Sequence, residues 1–315
     1  MKMLEEFDPN HVQSVLDEIT GRVAGEANRG EVASYIPELA EVSLNQFGIA
    51  VAPLEGAPLI AGEGHIPFSI QSISKVFGLV VALDCVGATL WRRVGREPSG
   101  DPFNSIVQLE FERGKPRNPF INPGAIVVSD VIVKNTEDAE IQHPVLSLCR
   151  SLADDPDIFI NEEVFSSEVE TGDRNRALAY FMSAEGNIEC DVMAVTESYF
   201  RQCSIAMSCR QLATAARFLA AGGKGKAGEN AAVTPERARR INALMMTCGC
   251  YDASGEVAFR IGLPCKSGVG GGVLAIAPGV ASIVAWSPGL DEKGNSVLAL
   301  KAIEEVASRL GWSVF

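Results

Sequence analysis

Histidine, cysteine and basic residues are all scarce in this sequence. The 315 residues include three histidines and eight cysteines, and 27 Lys and Arg stand against 40 Asp and Glu. The formal charge of -13 repels phosphate backbones and anionic surfaces, so we expect neither a nucleic-acid nor a membrane partner. Eight cysteines are too few for a disulfide-dense scaffold, and they lie in apolar stretches that are typical of reduced core thiols.

The scarcity of histidine also argues against metal chemistry. His11, His65 and His143 are isolated from one another along the chain, whereas metal sites combine several His, Cys or carboxylate ligands at close spacing. The glycine-rich stretch GVGGG, which begins at Gly268, matches neither the dinucleotide-binding nor the P-loop pattern. We therefore expect no metal and no cofactor.

No targeting segment is apparent in the first residues. They read MKMLEEFDPN and contain no apolar h-region, so we expect no signal peptide and a cytoplasmic protein. Residues 267–290 carry no charge and approach the length of a membrane-spanning helix. Their glycines and the Pro278-Gly279 pair break a helix, however, and favour two buried strands joined by a turn.

The hydrophobic pattern predicts an α+β fold. Asp8 and Pro9 begin a helix over residues 8–25, and an almost wholly apolar stretch predicts a buried helix from Ser72 to about Arg92. The runs FGIAVAP, PLIAGEG and IPFSI predict three strands of an antiparallel meander. An irregular region with one short helix is expected over 96–124, and a flexible loop over 221–230. Further helices are predicted over 139–152, 161–170, 174–186, 190–202, 208–221, 235–247 and 296–310, and further strands over 256–262, 272–277 and 280–286.

These elements predict one catalytic unit over residues 1–315. Its sheet-containing part takes about 1–70 and 250–315, and its helical part takes about 71–249.

The first chemical motif is a Ser-x-x-Lys at Ser72 and Lys75. Residues three apart share a helix face, so the amine can lie beside the hydroxyl. Burial against Val76, Phe77 and Leu79 would lower the pKa of Lys75 and allow the neutral amine to take the Ser72 proton. Helix N-terminal N–H groups nearby suit an oxyanion. The pattern alone fits a capping serine and an exposed lysine equally well.

A second motif, Lys266-Ser267-Gly268, favours the catalytic interpretation. Ser-x-x-Lys followed much later by Lys-[Ser/Thr]-Gly is the pattern of β-lactamases and penicillin-binding proteins, in which the second motif lies on an edge strand beside the site. The third element of that pattern, Ser-Asp-Asn, is absent. We therefore do not expect strict lactamase or transpeptidase activity.

The chain closely resembles the serine-dependent glutaminases, which share the β-lactamase-like fold. The matching segments are YIPELA, PFSIQSISKVF, GKPRNPFINPGAI, SEVETGDRNRALAY, ESYFRQCSI and CGCYDASGEVAFRIGLPCKSGVGGG, in the family's order over residues 35–272. No appended regulatory or repeat domain is apparent, so the chain looks like the compact bacterial form. The resemblance implies a central antiparallel sheet flanked by helices, with a helical subdomain.

The resemblance also implies an activity and a set of site residues. The reaction is hydrolysis of L-glutamine to L-glutamate and ammonia through a glutamyl ester on Ser72, with Lys75 and Tyr251 as proton relays. The backbone N–H groups of Ser72 and Val269 would form the oxyanion hole. A Tyr251 phenolate stabilised by a nearby lysine would suit this relay. The substrate pocket carries over onto Tyr35, Gln71, Ser72, Asn122, Glu168, Asn175, Tyr199, Tyr251 and Val269. Relatives form homodimers or homotetramers, so a homo-oligomer is expected.

One position departs from the family pattern. Many members have Asn-Ala-Gly-Ala where this chain has Asn122-Pro123-Gly124-Ala125. Proline disfavours helical angles at the residue before it and lacks a backbone donor, so we expect Pro123 to hold Asn122 extended and to affect substrate affinity.

Each of these residues taken singly also fits a purely structural role. The tyrosines could lie in the core, and Asn122 could form a turn. Glu168 could lie on a solvated helix face, and Asn175 could cap a helix. Two other functions also stay open: an amidase for another acyl compound, and a catalytically silent module that binds glutamine or a lactam. Because Ser72, Lys75 and Tyr251 are all present, the silent module is the less favoured of the two.

Overall fold

The computed structural model describes residues 7–100, 105–136, 143–225 and 232–315. Helices and strands alternate irregularly along these residues, as expected for a mixed fold. The helices are α1 (Pro9–Val23), α2 (Pro37–Ala40), α3 (Ser74–Val86), α4 (Ile106–Phe111), α5 (Asn122–Asn135), α6 (Pro144–Ala153), α7 (Glu162–Thr171), α8 (Asp173–Ala184), α9 (Val192–Cys203), α10 (Cys209–Ala220), α11 (Pro235–Cys248), α12 (Ser254–Ile261) and α13 (Val297–Arg309). The strands are β1 (Gly48–Pro53), β2 (Leu59–Gly62), β3 (Phe68–Ser69), β4 (Phe159–Ile160), β5 (Ile205–Met207), β6 (Cys265–Ser267), β7 (Gly272–Ala277) and β8 (Ala281–Trp286).

An antiparallel sheet of five strands, in the order β2-β1-β8-β7-β6, forms the centre of the fold. Both of its faces are covered, since α1 and α13 pack on one and α10 on the other. In β8, Ile283 and Ala285 therefore belong to one core cluster, whereas Val284 and Trp286 belong to the other. Burial on both faces explains why β7 and β8 are apolar at every position except Ser282. The predicted antiparallel sheet flanked by helices is confirmed.

The third strand of the predicted meander does not join this sheet. Phe68 of β3 pairs with Met207 of β5 in a small three-stranded sheet of order β3-β5-β4. Its ring stacks on Trp286 of β8, with the ring centroids 5.1 Å apart, and this contact joins the two sheets. The meander prediction was therefore correct for β1 and β2 and wrong for β3, whose partner lies far along the chain.

The segment predicted as a strand over 256–262 is helix α12. Val257, Phe259 and Ile261 alternate as in a strand, but Val257 and Ile261 are buried one helical turn apart, and Phe259 is 87% exposed. Gly262 ends the helix in a left-handed conformation with φ 66°.

The predicted buried helix from Ser72 to Arg92 consists of α3 with a 3₁₀ turn at each end. The whole segment Gln71–Arg92 is long and apolar enough to cross a membrane by length and composition, and 61% of its most apolar window is buried. It packs against α5, α6 and α9, so here it is a core helix. The uncharged stretch 267–290 contains β7 and β8, as predicted.

Most helices of the middle region lie within a few residues of their predicted positions. Residues 139–142 and 226–230, which belong to a predicted helix and a predicted loop, lie outside the described residues. Helix α5 was missed. The division into a sheet part, about 1–70 and 250–315, and a helical part, about 71–249, stays a prediction.

We expect Gly124→Ala to destabilise the fold by about 1–3 kcal/mol, the usual cost of overpacking. A Cβ at Gly124 would lie 1.9 Å from the carbonyl oxygen of Asn118, and backbone cannot retreat as a flexible side chain can. The matched control is Gly21→Ala in α1, where a Cβ meets nothing within 4 Å. That variant is expected to gain about 0.5–1 kcal/mol from helix propensity. Urea unfolding of both variants measures the difference, and equal stabilities would contradict the expected clash.

Candidate active site

Ser72 lies in a 3₁₀ turn, Gln71–Ile73, between β3 and α3. It is buried, with 7% of its surface exposed. The preceding residue, Gln71, has φ 47°, a left-handed conformation that is strained for a residue with a side chain. The chain therefore turns sharply at this point, just before α3 begins.

Lys75 lies in the first turn of α3 and is almost completely buried. Its Nζ donates hydrogen bonds to Asn122 Oδ1 at 2.7 Å and to the carbonyl oxygen of Phe120 at 3.3 Å, and it lies 5.7 Å from the ring centroid of Tyr199. Burial lowers the pKa of Lys75 to about 8. A substantial neutral fraction of this amine therefore exists near neutral pH, as the sequence predicted.

Tyr251 contacts Ser72 from a distant part of the chain, the 3₁₀ turn Tyr251–Ala253 before α12. Its backbone has φ 54°, and its hydroxyl is hydrogen-bonded to the Ser72 side chain and donates to the carbonyl oxygen of Ser267 at 3.4 Å. Burial raises the pKa of Tyr251 well above its usual value. The expectation of a stabilised phenolate is therefore wrong, because burial favours the neutral phenol, which is a proton donor.

Lys266 is a second fully buried lysine, and it was not among the predicted site residues. It lies on the edge strand β6, and its Nζ donates to the carbonyl oxygens of Gly249 at 3.0 Å and Ser267 at 2.6 Å. The Nζ atom lies 4.9 Å from the centroid of the Tyr251 ring. Burial, and then the charge of Lys75, lower its pKa to about 7. The Lys-Ser-Gly motif was the sequence signal that pointed to it.

A cavity of about 190 Å³ opens beside Ser72. Its lining contains eight of the nine predicted substrate-binding residues: Tyr35, Gln71, Ser72, Asn122, Glu168, Asn175, Tyr199 and Val269. Tyr251, the ninth, reaches the site through its contact with Ser72. Sequence reasoning had not included five other lining residues, namely Ile36, Thr171, Gly172, Arg174 and Cys203. Long-range packing therefore brings together residues from six separate parts of the chain.

Glu168 places a buried carboxyl group in this cavity, with 7% of the residue exposed. Burial raises its pKa to about 7, although a hydrogen bond from Gln71 and the charge of Lys75 act in the opposite direction. A carboxylate with so little solvent is well suited to a cationic group of a ligand.

Asn122 connects Lys75 to the rest of the pocket. Its Oδ1 accepts from Lys75, and its Nδ2 donates to Asn175 Oδ1 at 3.0 Å. The expectation that Pro123 holds Asn122 extended is wrong, because Asn122 is the first residue of α5 and Ile121 is the extended one, with ψ 157°. Proline fits here because N–H groups in the first turn of a helix have no acceptor within the helix.

The glycine-rich loop after β6 places Val269 beside Ser72. A Cβ at Gly268 would lie 2.5 Å from the carbonyl oxygen of Ile70, and one at Gly270 would lie 2.1 Å from that of Ser69. Only glycine allows the two backbones to approach so closely.

No group of three or more His, Cys, Asp or Glu side chains in the described parts of the chain could hold a metal ion. The site instead combines a buried serine, two lysines of lowered pKa and a small polar cavity. With the mixed fold around it, this arrangement defines an enzyme that acts on a small polar molecule.

Comparison with known proteins identifies the family. The glutaminase family model matches residues 30–315. A glutaminase of Methylobacterium nodulans is 57% identical over 302 residues, which are 96% of this chain and 98% of that one. A solved structure described as the probable glutaminase YbaS has a TM-score of 0.92 and 39% identity, over 98% of this chain and 99% of that one. A probable glutaminase from Bacillus subtilis, complexed with 6-diazo-5-oxo-L-norleucine, has a TM-score of 0.86 and 31% identity over the full length of both chains. The chain belongs to the glutaminase family, and the resemblance found in the sequence is confirmed.

Proposed function

We propose that this enzyme hydrolyses L-glutamine through a glutamyl ester on Ser72, within a β-lactamase-like fold. Membership of the glutaminase family supports the overall reaction, in which an amidohydrolase converts L-glutamine to L-glutamate and ammonia. The observation that supports the mechanism is that Ser72 lines the polar cavity and is hydrogen-bonded to Tyr251, while Lys75 donates to Asn122 of the same lining. The fold assignment is supported by the Lys-Ser-Gly motif on the edge strand β6 beside the serine turn.

In the first step, neutral Lys75 takes the hydroxyl proton of Ser72, and Oγ attacks the side-chain amide carbon of glutamine. Since the pKa of Lys75 is lowered to about 8, about a tenth of the amine is neutral at pH 7. The carbonyl oxygen becomes an oxyanion, and the backbone N–H groups of Ser72 and Val269 are the proposed donors to it.

The tetrahedral intermediate then collapses with loss of ammonia. Tyr251, kept neutral by burial, gives its phenolic proton to the leaving nitrogen, and the Lys75 ammonium returns a proton to Tyr251. A water molecule next attacks the glutamyl ester and transfers its proton by the same groups to Ser72 Oγ. Glutamate leaves, and both Lys75 and Tyr251 end in their starting protonation states.

The polar lining suits the amino-acid end of glutamine. Its ammonium requires an anion, and Glu168 supplies a buried carboxylate. Its α-carboxylate requires neutral donors, and Tyr35, Gln71, Asn122, Asn175 and Tyr199 carry such groups in the same cavity. The single catalytic unit, the homodimer or homotetramer and the cytoplasmic location remain predictions.

The direct test is ammonia release by the purified protein from L-glutamine, with L-asparagine and a chromogenic lactam in parallel. Release from glutamine alone, or fastest from glutamine, is the expected result. Absence of release from glutamine would contradict the proposal. Thermal stabilisation by glutamine would then separate a binding module from an enzyme with another substrate.

Glu168→Gln is expected to raise KM for glutamine about 10- to 100-fold, because a hydrogen-bonded charge pair contributes roughly 1.5–3 kcal/mol. In the wild type, kcat/KM should fall as the pH drops through about 7, since the carboxylate is protonated below its pKa. The variant should lose this fall near pH 7 and keep only the fall below about pH 8 that protonation of Lys75 produces. The control is Glu170→Gln, an exposed residue of the same helix. An unchanged KM in Glu168→Gln would contradict the assignment.

A further inference from the structure

Asn118 is not among the residues that line the cavity, and it is buried with 1% of its surface exposed. Its side-chain Oδ1 accepts hydrogen bonds from the backbone N–H groups of Phe120 at 3.0 Å and Ile121 at 3.1 Å. Its Nδ2 donates to the carbonyl oxygen of Glu97 at 2.8 Å. The side chain therefore shapes the turn 118–122 and attaches it to a neighbouring segment.

This turn supplies both acceptors of the buried lysine. The Phe120 carbonyl oxygen and Asn122 Oδ1 each accept from Lys75 Nζ, at 3.3 and 2.7 Å. The Phe120 ring also lies near the other lysine, since its centroid is 6.0 Å from Lys266 Nζ. The conformation of the turn thus decides where the Lys75 amine points.

Backbone hydrogen bonds restrain the two sides of this turn, from Glu97 N–H to the Arg117 carbonyl oxygen at 2.9 Å and from Ala125 N–H to that of Ile121 at 3.0 Å, whereas the N–H groups inside it depend on Asn118. The first turn of α5 packs directly on the Asn118 backbone, where Gly124 leaves no room for a Cβ. Without Asn118 Oδ1, two buried N–H groups lose their acceptor, and a buried donor without a partner destabilises the conformation that leaves it so. The turn is then expected to shift until these groups are solvated or paired again.

We propose that Asn118 is a positioning residue for catalysis, which holds the Phe120 carbonyl and the Asn122 amide on Lys75 without contacting the substrate. The inference rests on the proposed role of Lys75 as the base. It goes beyond that role in assigning the orientation of the amine to a side chain outside the cavity.

Asn118→Ala tests this role through the pH dependence of kcat at saturating glutamine. Displacement of the amine should reduce kcat about 10- to 100-fold, the usual effect of a misplacement near 1 Å. Below the pKa of Lys75, kcat falls because the amine is protonated, and we call this part of the pH profile the acid limb. Oxygen acceptors stabilise the ammonium, so their loss lowers the pKa of Lys75 further. The acid limb should therefore move to lower pH by about one unit. Other titratable groups face Lys75 and should stay in place, namely Glu168 on α7, Tyr199 and Cys203 on α9, and Lys266 on β6. Tyr251, which contacts Ser72, should also stay in place.

The matched control is Asn161→Ala at the start of α7. Asn161 Oδ1 accepts from the backbone N–H groups of Glu163 at 3.0 Å and Val164 at 3.1 Å, the same pattern and the same distances as at Asn118. This variant should lose stability without moving the acid limb. An acid limb in Asn118→Ala that coincides with the wild type would overturn the proposal, as would equal shifts in the two variants.

Asn118→Ser keeps an oxygen that accepts from the same two N–H groups and removes the amide donated to Glu97. Its kcat and acid limb should lie between those of the wild type and Asn118→Ala. If Asn118→Ala does not fold, the test rests on Asn118→Ser. A pH profile of kcat in Asn118→Ser that matches the wild type would then contradict the proposal.

Lys75→Met separates this inference from the proposed function. If the acid limb persists in Lys75→Met, the base has been assigned wrongly and the proposed mechanism fails. If the limb disappears there but does not move in Asn118→Ala, only the role of Asn118 fails.

Discussion

Ser72→Ala should reduce ammonia release from glutamine by about 10³- to 10⁶-fold, the range expected when a catalytic nucleophile is removed. The variant lacks the Oγ that we propose as the atom esterified by glutamine, whereas the cavity and its Glu168 carboxyl remain. Glutamine should therefore still stabilise the variant against heat, by about 2.7 kcal/mol at a concentration of 100 Kd. Acid-quenched wild-type enzyme should carry a glutamyl adduct by intact-mass measurement, and the variant should not.

The matched control for this prediction is Ser74→Ala. Ser74 lies two residues further along, is fully buried, and has no hydrogen-bond partner for its Oγ within the described residues. Its replacement should leave kcat within about threefold, because little beyond one polar atom is lost. Two results would contradict the assignment of Ser72 as the nucleophile. One is retention of more than about a tenth of the wild-type activity by Ser72→Ala, and the other is an equal loss of activity in the two serine variants.

Lys75→Met is expected to lower kcat about 10²- to 10⁴-fold, the usual contribution of a general base. Methionine has a similar length and suits the buried position, so the fold should survive even though Asn122 and Phe120 lose a donor. In the wild type, kcat should rise with pH through about 8, because only the deprotonated amine accepts the Ser72 proton.

The residual activity of Lys75→Met should lack that rise. Measurement of kcat at saturating glutamine isolates this step from the binding of the substrate ammonium by Glu168, which acts on KM. A variant whose kcat and pH profile match the wild type would exclude Lys75 as the base and direct attention to Lys266, whose pKa is also lowered, to about 7.

The helices that could be predicted were those with local signals. Helix α1 begins with a capping Asp8 followed by Pro9, and its buried residues recur at the helical period. Helix α10 begins with a capping box formed by Ser208 and Gln211. Such signals involve residues a few positions apart, so they are visible without knowledge of the tertiary structure.

The elements that were missed depend on distant contacts. Helix α5 is rich in β-branched residues and buried on nearly all sides between α3 and α9, so it has no polar face to reveal its period. The pairing of Phe68 with Met207 joins two very short strands. In α12, the exposed Phe259 imitated the alternation of a strand.

The same distinction applies to the site. Residue type and spacing alone predicted Ser72 and Lys75 as a nucleophile and amine pair, placed a Lys-Ser-Gly motif later in the chain, and revealed the resemblance to the glutaminases. Only the tertiary structure decided that Tyr251 is held as a neutral phenol, that Lys266 lies against its ring, and that Asn118 binds the turn whose oxygens accept from Lys75. The reason is physical: protonation depends on the solvent that packing removes, and orientation depends on partners that only the fold brings together.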